Sequence, residues 1–218
     1  DWSSDVCSSD LLENKNQQIS SMVEELANRF DSTEGLLVTI IELHQTEHRG
    51  HSERVATASV YIAEKLGLTD YQIRNVKSAA RLHELGIVAL PTQEKRKEAL
   101  KEGDDSKSKA ATSHPLVGEM LLKEFPGFEL IAEIIRHLHE NVDGSGSPDG
   151  IYGDRIPIGS RIVCAASYFD HIRMASPGKS GAEILAKMDE KTGVIFDEAI
   201  MEVLKEYVES RGEVEEAP

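Results

Sequence analysis

The chain has 218 residues, with 24 Lys and Arg against 39 Asp and Glu, a formal net charge of −15. That length can bury a full core in one large domain, alone or with an appendage, and the acidic excess excludes a sequence-independent binder of DNA, whose phosphate contacts need a basic face. No apolar run approaches the ~18 residues of a membrane span, and two cysteines, Cys7 and Cys164, make no disulfide framework, so the composition reads as cytoplasmic.

Residues 1–11, DWSSDVCSSDL, carry neither a helical nor a strand period and resemble a translated sequencing-adapter fragment. They are expected to be a non-native or disordered leader. Residues 12–34 carry a narrow helical stripe of Ile19, Met22, Val23, Leu26 and Phe30, expected as a linker helix whose stripe either is a seam for a homodimer or packs on the domain behind it. Asp31 and Ser32 read as a fresh helix start before the apolar run 36–43. Helices follow over 52–65 and 70–85, with Gly67 as a stop and Thr69 as a cap between them. A polar stretch from Pro91 to Ser113 reads as surface, its Lys95, Arg96 and Lys97 as a solvated face. Helical patterns resume over 115–125 and 128–139. Residues 143–157, with four glycines and two prolines, form an irregular loop, and helices close the chain over 158–173, 181–191 and 197–209. Residues 211–218 read as a disordered acidic tail. The fold class is all-α, with aliphatic side chains building the core because aromatics make up only 5% of residues.

Eight histidines occur, at 44, 48, 51, 83, 114, 137, 139 and 171. His44 and His48 read as plain surface residues, and Cys164 as a core residue. Glu47 and His51 share one helix face, His83 stands beside Glu84 at a helix end, and His139 and Glu140 close a helix before the glycine loop. Imidazole with carboxylate, and without paired thiolates, suits a catalytic iron, manganese or zinc site better than a structural one.

The order H-S-E-R-V (51–55), H-E-L-G (83–86), L-P (90–91), H-P-L-V-G (114–118), H-E-x-x-D-G-S-G-S-P (139–148), G-x-R-I-P (153–157) and S-R-I (160–162) resembles the HD-GYP family, a branch of the HD metal-dependent phosphohydrolases. The resemblance runs from about residue 47 to about residue 204. It implies an HD-type helical bundle over 35–210, extended by C-terminal helices. It also implies bacterial cyclic di-GMP signalling, with metal-dependent hydrolysis of cyclic di-GMP or a related cyclic dinucleotide. The implied metal ligands, for iron or manganese, are Glu47, His51, His83, Glu84, His114 and His139, with Glu84 also catalytic. Asp143, Gly144, Gly146 and Pro148 fall in the family's loop for substrate or a diguanylate-cyclase-type protein partner, and Arg173 and Lys179 where phosphate contacts lie.

Several letters depart from the pattern. The family's H-D is His83–Glu84, its G-K is Gly86–Ile87, its H-H-E is Leu138–His139–Glu140, its G-Y-P is Gly146–Ser147–Pro148, and its late ligand aspartate falls on Ser167. A four-ligand site worth ~10–16 kcal/mol averages ~3 per ligand, so losing two from one site weakens metal binding by ~10⁴-fold. Two residues are candidate substitutes: His171, four after Ser167 on one helix face, and Asp170. The expectation is a domain whose hydrolysis is impaired or lost, the alternative a fully active phosphodiesterase using the remaining ligands.

Overall fold

The structure, a computed structural model, describes residues 2–44, 49–89 and 114–211, with side chains from residue 11 onward. Among these residues the chain forms eight α-helices: α1 (Trp2–His44), α2 (His51–Lys65), α3 (Asp70–Leu82), α4 (His114–Leu122), α5 (Glu129–Arg136), α6 (Ile158–Ala175), α7 (Gly181–Asp189) and α8 (Glu198–Ser210). Short 3₁₀ turns occupy Leu85–Ala89 and Gly153–Arg155. The all-α class read from the sequence is the class observed. No helix among the described residues is long and apolar enough to cross a membrane.

Local chemistry accounts for where the helices begin. Thr69 and Gln72 cap α3 reciprocally, as Ser180 and Glu183 cap α7. Asp197 accepts from the backbone N–H groups of Ala199 and Ile200 to start α8. The core lies where α2, α3, α5 and α6 meet, around Val55, Ile62, Val76, Leu82, Ile131, Ile135, Ile162 and Val163. Between α2 and α3 the buried side chains are small: Ala56, Ser59, Ala63, Ala79 and Ala80. The two helices run antiparallel through the turn at 66–69, so the start of α2 lies beside the end of α3. That places His51 against His83, 32 residues later.

Two expectations change. The helix start expected at Asp31 and Ser32 is absent, and α1 is continuous. Ser32 Oγ donates to the Asn28 carbonyl (2.7 Å) and Thr33 Oγ1 to that of Arg29 (2.9 Å), so these polar side chains bond back along a helix rather than capping a new one. The helix also takes in residues 2–11, where a leader without periodic structure was expected. Second, α3 and α5 end three residues short of the expected limits. His83 and Glu84 therefore lie on a turn, as do His137, Leu138 and His139.

Residues 11–29 of α1 are exposed, and its second half docks on the bundle. Phe30 stacks on Phe128 (ring centroids 4.4 Å apart), and Val38 and Ile41 enter the core. Buried Glu34 accepts from Arg81 (2.5 Å) and from Ser78 Oγ (2.6 Å), both on α3.

One close approach ties α4 to the turn after α3. A Cβ on Gly86 would stand 1.9 Å from the His114 carbonyl oxygen, a backbone atom that no rotamer change can move. Gly86→Ala is expected to cost ~3 kcal/mol or more and to lower Tm by ~10 °C. Gly35→Ala, in α1 where a Cβ meets nothing within 4 Å, is expected to be neutral or slightly stabilising. Thermal melts of the two variants beside the parent check both outcomes.

Candidate metal centre

Two imidazoles, those of His51 and His171, converge on the Glu84 carboxylate, and that of His83 adjoins His51. His51 opens α2, His83 and Glu84 form the turn after α3, and His171 lies in the last third of α6. His51 Nε2 is 3.3 Å from His83 Nε2 and 3.9 Å from Glu84 Oε1, and His171 Nε2 is 3.8 Å from the same oxygen. Donor atoms of His51, Glu84 and His171 all lie within 4.8 Å of one another. His51, His83 and Glu84 are buried, whereas His171 is exposed, so the cluster opens to solvent on the His171 side.

In each imidazole the other ring nitrogen already has an acceptor. His51 Nδ1 donates to Asp170 Oδ2 (2.7 Å), His83 Nδ1 to the Ala80 carbonyl (2.7 Å), and His171 Nδ1 to the Ser167 carbonyl (3.0 Å). A carbonyl or an ionised carboxylate only accepts, so these bonds place a proton on each Nδ1 and leave Nε2 as the nitrogen that faces the cluster. The neutral form is also the favoured one for His83. Burial pushes its imidazole down to about 3, and the imidazole of His51 pushes the same way against the hydrogen bond to Ala80.

Ring nitrogens and a carboxylate oxygen this close suit a shared cation, whether a proton or a metal ion. The donor set fits a divalent ion. Two ligands ~2.1 Å from one ion stand ~3.0 to 4.2 Å apart, and the three separations above fall within that window. An imidazole ligand with its second N–H held by a carboxylate or carbonyl is the usual outer arrangement of such sites.

Asp170 supports the cluster from outside it. Its two oxygens take the Arg54 guanidinium side-on (2.8 and 2.8 Å), Oδ2 also accepts from His51, and Oδ1 from Arg173 (3.2 Å). Burial works to raise this carboxyl, but the hydrogen bonds from His51 and Arg54 outweigh it and hold the group well below the usual carboxylate range. Of the two candidates to replace the aspartate lost at 167, the structure therefore brings His171 into the cluster and gives Asp170 to His51 and the arginines. Ser167 stands at the cluster, Oγ 3.2 Å from His83 Nε2 and 3.3 Å from His171 Nδ1.

The other sequence candidates are distributed as follows. His114 and His139 pack ring edge to ring face with centroids 4.8 Å apart, outside the group whose donors lie within 4.8 Å of one another. Glu47 lies outside the described residues, as does the 91–113 stretch. Leu138 is buried in the core, and Ile87 is half-buried on the 3₁₀ turn. Arg173 is engaged by Asp170, and Lys179 is exposed between α6 and α7.

The glycine loop is clamped to α5 from both sides. Glu140 Oε1 accepts from the N–H groups of Asp149 (2.6 Å) and Gly150 (3.1 Å), and Arg136 grips the Asp149 carboxylate (2.8 and 2.8 Å). A Cβ on Gly146 would stand 2.2 Å from the Asn141 backbone nitrogen, so the loop lies directly on the chain that carries His139. Asp143 accepts from the Ser145 N–H (2.8 Å), Gly144 has φ of 85°, and Pro148 follows a cis bond.

Sequence reasoning passed over Arg54 and Glu34. Arg54 carried one signal, its place three residues after His51 on a helix. Glu34 carried none, because its partners are 44 and 47 residues away.

The sequence pattern of the HD domain family matches residues 35–200, and the chain belongs to that family, as the order of its motifs implied. It is 31% identical over 196 residues to the cyclic di-GMP phosphodiesterase response regulator RpfG of Xanthomonas campestris pv. campestris, covering 86% of this chain and 50% of that protein. It is 29% identical over 169 residues to the 3'3'-cGAMP-specific phosphodiesterase 3 of Vibrio cholerae, covering 76% of this chain and 36% of that one. The crystal structure of a cyclic GMP-AMP-specific phosphodiesterase of V. cholerae (V-cGAP3) shares the fold, with a TM-score of 0.65 at 21% identity over 79% of this chain and 47% of that one. The chain thus spans half or less of the length of these relatives.

The lowered pKa of His83 has a defined consequence for the chelated chain. The unfolded state takes up this proton first, so stability is unaffected above pH ~6.5 and falls below it, by up to ~1.4 kcal/mol per pH unit. Urea melts at pH 7 and pH 5 in chelator are expected to show that loss, and His83→Gln to reduce the slope by one proton.

Proposed function

We propose that this chain is a phosphodiesterase-type HD domain acting on cyclic di-GMP or a related cyclic dinucleotide. It holds a divalent metal, iron or manganese, through His51, His83, Glu84 and His171, and its hydrolysis is impaired by the substitutions around that centre. The observation that supports this most is the convergence of His51 Nε2 and His171 Nε2 on Glu84 Oε1, with both imidazoles bonded at Nδ1 to fixed acceptors. A bound divalent ion would supply Lewis-acid polarisation of a phosphoryl oxygen and lower the pKa of a water.

The chain's own residues divide the remaining work. Asp170 and Arg54 hold the His51 ring, the Ala80 carbonyl holds that of His83, and Ser167 holds that of His171. Glu84 stands between His51 and His171, placed to bind the cation or to take a proton from an attacking water. The paired rings of His114 and His139, with Glu47, are proposed as the second metal position. The loop with Asp143, Gly144, Gly146 and Pro148 is proposed as the face that meets the nucleotide or a diguanylate-cyclase-type partner, and Arg173 and Lys179 as the nearby cations for phosphate.

The impairment follows from what is missing. Leu138 gives the second position no donor, and Ile87 puts no cation beside a phosphate whose charge grows in the transition state. Loss of one such stabilising group costs ~10²–10³ in turnover. The approach of His171 to Glu84 favours a second reading, full activity through a replaced ligand.

Metal analysis and turnover test these readings together. Protein purified anaerobically without chelator from cells supplied with iron and manganese is expected to carry at least one metal per chain. His171→Ala is expected to weaken metal binding by ~100-fold. Slow conversion of cyclic di-GMP to the linear dinucleotide, raised by Ile87→Lys, supports the impaired reading. Turnover that Ile87→Lys leaves unchanged, and that His171→Ala abolishes, supports the fully active one. Protein that takes up no metal overturns both.

A further inference from the structure

The exposed face of α1 carries a heptad repeat that runs past the expected linker. Taking Leu12 as the first seam position, the repeat reads Leu12, Lys15, Ile19, Met22, Leu26, Arg29, Thr33, Leu36, Ile40 and Leu43. Leu12, Ile19, Met22, Leu26, Leu36 and Leu43 are 59–69% exposed, and Ile40 is 38% exposed. Phe30, expected in this stripe, turns the other way onto Phe128. Glu34, Val38 and Ile41 follow it onto the bundle. The helix is therefore two-sided, with one face docked on its own domain and the other, apolar except at Lys15, Arg29 and Thr33, uncovered by the described residues.

We infer that a second copy of this chain covers that face, pairing α1 with its two-fold equivalent. Three observations choose this occupant. The repeat keeps apolar residues at four of the five positions 12, 19, 26, 33 and 40, broken at Thr33, and at Met22, Leu36 and Leu43 of the companion series, broken at Lys15 and Arg29, a spacing that a helical partner selects. Packing on a flat surface would let the stripe drift by ~20° per heptad. The positions flanking the seam (11, 16, 18, 23, 25, 30, 32, 37 and 39) carry a single charge, Glu25, which is bonded to Arg29 of its own helix (2.6 Å). A seam without flanking charges lacks the means by which a coiled coil selects an unlike partner, and a two-fold pair needs only one self-matching face. Finally, a seam from Leu12 to Leu43 is ~46 Å long on a helix ~10 Å across, which buries on the order of 1,000 Å² in a pair of chains. That reaches the ~1,000 Å² expected of a specific interface.

Sedimentation equilibrium of the full chain tests the pairing. The parent is expected to be a dimer at micromolar concentration. The double variant Ile19→Lys/Leu26→Lys places cations at two exposed seam positions and is expected to weaken association by ~100-fold or more. Ser20→Lys/Asn28→Lys, on the outer face of the same helix, is expected to leave it unchanged. Circular dichroism on each variant separates loss of pairing from loss of helix. A single-chain mass for the parent at ~100 µM, a dimer that survives the seam variant, or one broken equally by the outer-face variant, would overturn the inference.

Discussion

One buried carboxylate sets the geometry on which the centre depends. Asp170 sits in the bundle at 4% exposure, where an unpaired charge would be costly. Its cost is offset by hydrogen bonds from His51, Arg54 and Arg173, contributed by two helices. The same bonds fix which nitrogen of His51 carries the proton and the angle of the ring. Without that anchor the His51 ring could turn or exchange tautomers, and its Nε2 would no longer face His83 and Glu84. The charge of Asp170 and the direction of the His51 lone pair are one arrangement.

The backbone carries that arrangement outward. Small side chains between α2 and α3 let an antiparallel pair approach closely, and the ends of these helices become neighbours. Histidines at the start of one and just past the end of the other then meet without any long connection. Where α3 stops, the turn is pressed against α4 at Gly86, so the turn that carries His83 and Glu84 meets the start of the helix that carries His114 through main chain. The donors thus lie at helix ends, where the backbone can change direction, while the middles of the same helices supply the apolar core.

The helices were legible because their apolar positions recur at the helical period and their starts carry Thr69, Ser180 and Asp197. Their ends at the site were not. Periodicity continued through His83–Glu84 and Leu138–His139, while the chain turned three residues earlier. The family's motif order singled out His51 and His83, and the four-residue spacing of Ser167 and His171 singled out a ring that lies 3.8 Å from Glu84. The Asp170–Arg54 pairing was out of reach, since it joins residues 116 apart through contacts that no local pattern encodes. Asp31 and Ser32 misled for a related reason. Ser and Thr side chains bond a backbone N–H ahead at a helix start or a carbonyl behind within a helix, and composition alone does not separate the two.

The burial of Glu34 bears on where this domain begins. Sequence comparison draws its edge at residue 35, one position after a carboxylate that accepts from both Arg81 and Ser78. A fragment cut at that edge would keep the whole family pattern and still leave two donors on α3 facing an empty space, with Phe128 stripped of its stacked ring. The α1 segment from Phe30 to Ile41 packs on the bundle along one face, through Phe30, Glu34, Val38 and Ile41.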